Sequence, residues 1–242
     1  MVSTIPGARV PHGIRIYAVG DLHGRVDLLD RLFNHIDDDL RTFPAHRAIQ
    51  VYLGDYIDRG PDSRYVLDRL IERGEIHEMV CLKGNHESFL LDFLRDPELL
   101  KRWRQFGGLD TLMSYGVVPP FNPTKEQVDA VAAGLHKAMP STHFEFLNQL
   151  RTSFTCGDYF FVHAGVRPGV ALHQQQERDL LWIRDEFLQS EVDFGKAVVH
   201  GHTPVPTAEI RRNRINIDTG AYATGLLTCL ILEEDRSWFI AA

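Results

Sequence analysis

Short runs rich in β-branched and aromatic residues recur along the chain and stop at Gly, Asp, Asn or His. Ile14–Val19, Ile49–Leu53, Met79–Leu82, Tyr159–Val162 and Ala197–Val199 have this form, which predicts buried strands ended by turn residues. Between the early strands, apolar positions return at helical spacing: Leu28, Leu29, Leu32, Phe33 and Ile36, then Val66, Leu67, Leu70 and Ile71, then the run Phe89–Leu94. Each predicts a helix packed by one stripe, and the alternation is the βαβα rhythm of an α/β domain. Ile215–Gly220, Leu226–Leu232 and Ser237–Ile240 are expected to be the closing strands, and Leu180–Asp185 sets Arg184 beside apolar anchors.

The pattern changes between Asp96 and Gly157, where Trp103-Arg104-Gln105-Phe106-Gly107-Gly108 and Pro119-Pro120 precede further helical stretches. Thr124-Lys125-Glu126-Gln127 has the form of a capping box. We read about 96–157 as a helical cap or connector positioned to contact substrate, its charges and aromatics serving as solvated faces and packing. A chain of 242 residues can bury a full core, so 1–242 is expected to be one domain carrying that cap.

Composition narrows the partners. The chain is 44% hydrophobic and 24% charged with a net charge of −7, which argues against a general nucleic-acid or anionic-membrane surface. Met1–Gly13 lacks a basic-then-apolar leader pattern, and no run approaches the roughly 20 apolar residues that span a bilayer; a cytoplasmic protein is expected. Cys81, Cys156 and Cys229 are widely spaced in apolar contexts and read as reduced core residues.

Histidine, at 12 residues, is the unusual count, because imidazole both carries protons near neutral pH and binds metals. The strand-ending clusters contain Asp21, His23, Asp55, Asn85, His163 and His202. This oxygen and imidazole set without cysteine suits manganese, iron or zinc. Six ligands exceed one tetrahedral site but suit two ions about 3.5–4 Å apart that share a carboxylate and clamp a phosphoryl oxygen, with Asp55 as the natural bridge. Singly, such residues have plainer readings. A loop Asp beside Gly is commonly a turn former, Asp58-Arg59 a surface ion pair, and His86 a further ligand. His200 is left out as a backbone hydrogen-bonder, and Asp218 is either a supporting carboxylate or a turn residue. His12, His35, His46, His77, His136, His143 and His173 are expected at the surface or on helices.

Gly20-Asp21-Leu22-His23-Gly24, Gly54-Asp55-Tyr56-Ile57-Asp58-Arg59-Gly60, Gly84-Asn85-His86-Glu87, His163-Ala164-Gly165 and Gly201-His202 stand in this order. Together they resemble the motifs of the phosphoprotein-phosphatase branch of the calcineurin-like metallophosphoesterases. Trp182-Ile183-Arg184, Gly201-His202-Thr203-Pro204 and Ile217-Asp218-Thr219-Gly220-Ala221 bring the chain nearest to the small bacterial and bacteriophage lambda type enzymes. The resemblance implies two mixed sheets flanked by helices with the ions at the sheet ends. It implies Asp21 and His23 on one ion, Asn85, His163 and His202 on the other, and Asp55 between them. It makes His86 the general acid with Asp58 as its carboxylate partner, and Arg59 and Arg184 the phosphate binders alongside Asn85 and His86. Attack by a metal-bridging hydroxide on phosphoserine or phosphothreonine in proteins is the implied activity, extending to phosphotyrosine or small phosphomonoesters. A dinucleoside tetraphosphate hydrolase is the alternative, disfavoured because the insertion expected for it between Arg184 and His200 is missing. A non-catalytic phosphate-binding relative is the other. The longer C-terminal loops of the eukaryotic enzymes are lacking, so their regulatory subunits are not expected as partners.

Overall fold

The computed structural model describes residue 5 and residues 7–242; positions 1–4 and 6, part of the stretch read above as lacking a leader, lie outside the described residues. The first half alternates β1 Ile14–Val19, α1 Val26–Thr42, β2 Arg47–Tyr52, α2 Ser63–Gly74, β3 Met79–Cys81 and α3 Asn85–Arg95. Helices α4 Leu100–Gln105, α5 Gly108–Ser114, α6 Lys125–Ala138 and α7 Ser141–Gln149 follow. Then come β4 Ser153–Cys156, β5 Tyr159–Val162, α8 Glu177–Trp182, α9 Asp185–Leu188, β6 Ala197–His200, β7 Glu209–Ile210, β8 Arg214–Asn216, α10 Ala221–Thr224, β9 Thr228–Glu233 and β10 Arg236–Ala241.

Two five-stranded mixed sheets result, in the orders β10-β9-β1-β2-β3 and β4-β5-β6-β8-β7. In the first, β1, β2 and β3 are parallel neighbours; in the second, β5, β6 and β8 are. Antiparallel strands border both trios. Strand periodicity explains the layering, since alternate residues face opposite sides. Ile16, Ala18, Ile49 and Val51 meet Tyr159, Phe161, Val199 and Ile215 between the sheets. Tyr17, Val19 and Tyr52 turn outward onto Leu28, Leu29 and Leu32 of α1 and Leu67 of α2. On the far side Phe160, Val162 and Val198 pack on Leu180 and Phe187.

The capping box at Thr124 forms as expected: Gln127 N–H donates to Thr124 Oγ1 at 3.4 Å and Thr124 N–H to Gln127 Oε1 at 2.9 Å. Several strand ends shift by one or two residues, and two boundaries differ by more. The last part of the cap stretch is strand β4, paired with β5 from Ser153 to Cys156; four residues at a sheet edge are too few to show a period of their own. Strand structure in the Ile215–Gly220 run ends at Asn216, because Gly220 takes φ 66° and opens a short helix. The cysteines are free, with Cys156 and Cys229 buried and Cys81 partly so. Among the described residues no helix is long and apolar enough to cross a membrane.

Phe161 is fully buried in the inter-sheet layer, with the tilted rings of Phe154 and Tyr159 centred 5.9 and 6.4 Å from its own. Phe161→Ala is expected to lower stability by about 3–5 kcal/mol, the usual cost of emptying a packed aromatic site. Urea unfolding followed by circular dichroism checks this; a loss below about 1 kcal/mol would show that the sheets do not pack here as described.

Candidate metal centre

The carboxyl ends of β1, β2, β3, β5, β6 and β8 lead into one rim; most candidate residues sit in the turns after them, Asn85 and His86 open α3, and Arg184 follows α8. Backbone strain gathers there. Six non-glycine residues among those described have positive φ, and five are candidates: His23 at 44°, Asp55 at 52°, Asp58 at 71°, Arg59 at 68° and His202 at 67°. Such conformations cost of order 1–3 kcal/mol each when the side chain gives no local compensation, so the surrounding contacts must hold them. Close backbone approach requires glycine at two positions. A Cβ on Gly84 would lie 2.1 Å from Asp55 Oδ1, and one on Gly201 would lie 2.2 Å from Asp21 Oδ1.

Asp55 is the hub. Two sets of donor atoms converge within 4.8 Å: His23, Asp55 and His86, and Asp55, His163 and His202. His23 Nδ1 bonds Ile57 O at 2.9 Å, and His163 Nδ1 bonds Leu53 O at 3.0 Å. Each ring therefore donates to a carbonyl from Nδ1 and presents Nε2 as an acceptor, the tautomer a metal ligand needs. Asn85 Oδ1 lies 2.9 Å from His163 Nε2, and His202 Nδ1 3.2 Å from it. Asp55, Asn85, His163 and His202 thus come together as expected.

Asp21 is buried at the same rim, its carboxylate accepting from the His202 backbone N–H at 3.1 Å, and His86 stands with His23 and Asp55 in the first donor set. The sequence cannot show this, because residues 181 positions apart set the contact.

Electrostatics test whether these residues suit cations. Burial, then Asp218 and Asp55, pushes the Asp21 carboxyl well above the usual range, and burial lifts Asp218 to about 6. Burial also raises Asp55, but the imidazoles of His163, His86 and His23 outweigh it and hold the group below its ordinary value. Burial lowers His23 to about 3 and also lowers His163 and His202. Burial and the neighbouring Asp55 charge thus hold Asp21 and Asp218 back from ionising, burial disfavours the charged form of the His23, His163 and His202 rings, and His202 Nε2 is buried without a hydrogen-bond partner among the described residues. Divalent cations would relieve the repulsion among these carboxyls, with His202 Nδ1 the ring atom turned toward the second donor set, and nitrogen with oxygen is a fitting donor set.

His86 stands beside this hub with a second partner. Its Nδ1 is 2.7 Å from Asp58 Oδ2, and Arg59 Nη2 donates toward its Nε2 at 3.2 Å. Burial pulls His86 down, but Asp55 and hydrogen-bonded Asp58 outweigh it, and the net direction is upward. Asp58 is itself fully buried, accepting from Trp103 Nε1 at 2.8 Å and Thr111 Oγ1 at 2.5 Å. This corrects the reading of the 96–157 region as solvated faces and packing alone: α4 and α5 hold the carboxylate that holds His86. The Gly107-Gly108 pair carried the signal, since a Cβ on Gly108 would run into the Trp103 ring at 2.4 Å.

Arg59 is half-buried, with Nη1 donating to His23 Nε2 at 3.0 Å and its guanidinium 4.9 Å from the Tyr222 ring. Arg184 is exposed at the rim and donates to Thr203 Oγ1 at 3.0 Å. His200 is buried against Phe187 and bonds Gly201 O at 3.1 Å, away from the ligand set.

Sequence reasoning passed over two contributors, Glu87 and Tyr222, and left Asp218 open between a supporting carboxylate and a turn residue. Glu87 receives N–H bonds from Asp55 and Gly84 at 2.9 Å and Tyr56 at 2.8 Å, clamping the hub's loop to α3. Asp218 is buried near Asp21 and accepts from Gly220 N–H at 2.9 Å. Tyr222 covers Arg59 and His23. His143, expected at the surface or on a helix, is on α7 but buried between Tyr115 Oη at 2.6 Å and Asp68 Oδ1 at 2.8 Å, where it pins the cap to α2.

Residues 14–226 match the calcineurin-like phosphoesterase family model, and the chain belongs to that family. Its curated relatives include an asymmetrical bis(5'-nucleosyl)-tetraphosphatase, PrpE, from Anoxybacillus flavithermus, 25% identical over 89% of this chain and 89% of that protein. Solved structures with the same fold include one assigned provisionally as a diadenosine tetraphosphatase, with a TM-score of 0.65 and 19% identity over 97% of this chain and 98% of that one. A protein serine/threonine phosphatase from Saccharomyces cerevisiae shares the fold at a TM-score of 0.54 and 14% identity, covering 95% and 79% of the two chains.

Proposed function

We propose that this metal-dependent phosphoesterase hydrolyses dinucleoside tetraphosphates, with the whole chain acting as one catalytic unit. The similarity to PrpE over 89% of both chains carries the reading. It also removes the objection raised from sequence. Since a dinucleotide hydrolase aligns along nearly its full length, a missing insertion between Arg184 and His200 does not argue against that substrate. Phosphoprotein hydrolysis, implied by the motif pattern, becomes the second reading, favoured by the exposure of Arg184 at an open rim.

Asp21, His23 and Asp55 would hold one divalent ion and Asp55, Asn85, His163 and His202 the other, manganese first, with iron or zinc as alternatives. When bound, the pair polarises the phosphoryl group and acidifies water. Arg59 and Arg184 grip phosphoryl oxygens with forked N–H donors. Asp58 accepts from His86 Nδ1–H and favours the doubly protonated ring, whose Nε2–H can give its proton to the departing oxygen once Arg59 has turned to the phosphoryl group.

Manganese-loaded protein given diadenosine tetraphosphate and a phosphoserine peptide side by side is expected to prefer the dinucleotide by kcat/KM. Chromatography then separates ADP alone, from central cleavage, from AMP with ATP. A clear preference for the peptide would return the phosphoprotein reading to first place.

A further inference from the structure

Beside the metal centre lies a cavity of about 580 Å³, lined by Arg167, Gln174, Gln176, Arg178, Trp182 and Arg184 among others, of which only Arg184 has a role above. Two of its lining residues reach toward the centre. The Trp182 ring is 6.2 Å from that of His202, and Arg184 bonds Thr203, the next residue. Arg178 and Trp182 are four apart on α8, so they share a face one helical turn from each other.

The charges in the cavity are unequal in availability. Arg167 is bound to both Asp179 oxygens at 2.7 Å and both Glu186 oxygens at 2.9 Å. It braces the wall and uses those acids. Arg178 has no ion pair among the described residues, and Arg184 contacts only a hydroxyl; Asp185 is the one remaining acid in the lining. Two available guanidiniums in line with a half-buried indole suit an extended polyanion that ends in a planar ring.

Resting on the reading above, we propose that this cavity holds the nucleoside-phosphate arm beyond the phosphoryl group under attack. Arg184 and Arg178 bind successive phosphates, and Trp182 carries the base. The volume falls in the usual range for small-ligand sites. A monoester such as p-nitrophenyl phosphate stops at Arg184 and does not enter.

Arg178→Glu tests this, because the residue is exposed and its replacement leaves the core alone. The ratio of kcat/KM for diadenosine tetraphosphate to that for p-nitrophenyl phosphate is expected to fall roughly tenfold or more through KM, the effect of losing one charge-assisted contact. ATP, as a competitive inhibitor of p-nitrophenyl phosphate hydrolysis, should weaken by a similar factor. If the wild type cleaves the dinucleotide and the variant leaves both measurements unchanged, the arm lies elsewhere while the substrate reading stands. A wild type inert toward the dinucleotide overturns both.

Discussion

Asp55→Asn is expected to lose both ions together, each weakened by at least about 10²-fold, since even supporting residues around a metal cost 10- to 100-fold. Asp55 is the one side chain in both donor sets: its Oδ2 is 3.5 Å from His23 Nε2 and its Oδ1 3.3 Å from His163 Nε2. The substitution keeps shape and removes the charge that the surrounding imidazoles stabilise. The fold should survive, because Glu87 grips the Asp55 backbone N–H rather than its side chain. Metal analysis of dialysed protein, with circular dichroism as the folding control, reads the result. Loss of one ion with retention of the other would remove Asp55 as the bridge.

His86→Asn is expected to slow hydrolysis of alkyl phosphomonoesters by roughly 10²- to 10⁴-fold, the range for general acid catalysis, while both ions stay bound. The loss should shrink as the leaving group becomes less basic. A departing alkoxide needs a proton, whereas a departing nucleoside phosphate, with a second pKa of about 6, leaves readily without one. Rates on an alkyl phosphate, p-nitrophenyl phosphate and diadenosine tetraphosphate should therefore order the losses from largest to smallest. Equal losses on all three would point to phosphate binding instead of proton donation, and loss of an ion would make His86 the ligand that its place beside His23 and Asp55 permits.

The motif residues were legible because each follows a run whose periodicity is local. Val19, Tyr52 and Val162 end apolar strands, and the polar residues just beyond them have to stand at a sheet edge. The support around them was not legible. Trp103 and Thr111 reach Asp58 across 45 and 53 residues, and within their own helices they look like any aromatic and hydroxyl in a packed cap. His143 likewise lacks a sequence neighbour that reveals Tyr115 and Asp68.

The order of strands and helices, the turn chemistry at strand ends and the nitrogen and oxygen character of the donors follow from the sequence alone, since each depends on residues within a few positions. Tertiary structure decided which donors meet: it set Asp21 against the His202 backbone and His86 beside His23, and it opened the arginine-lined cavity next to Trp182. Those outcomes depend on how two sheets pack across one shared core, and no local pattern encodes the distance between residues that only the packing brings together.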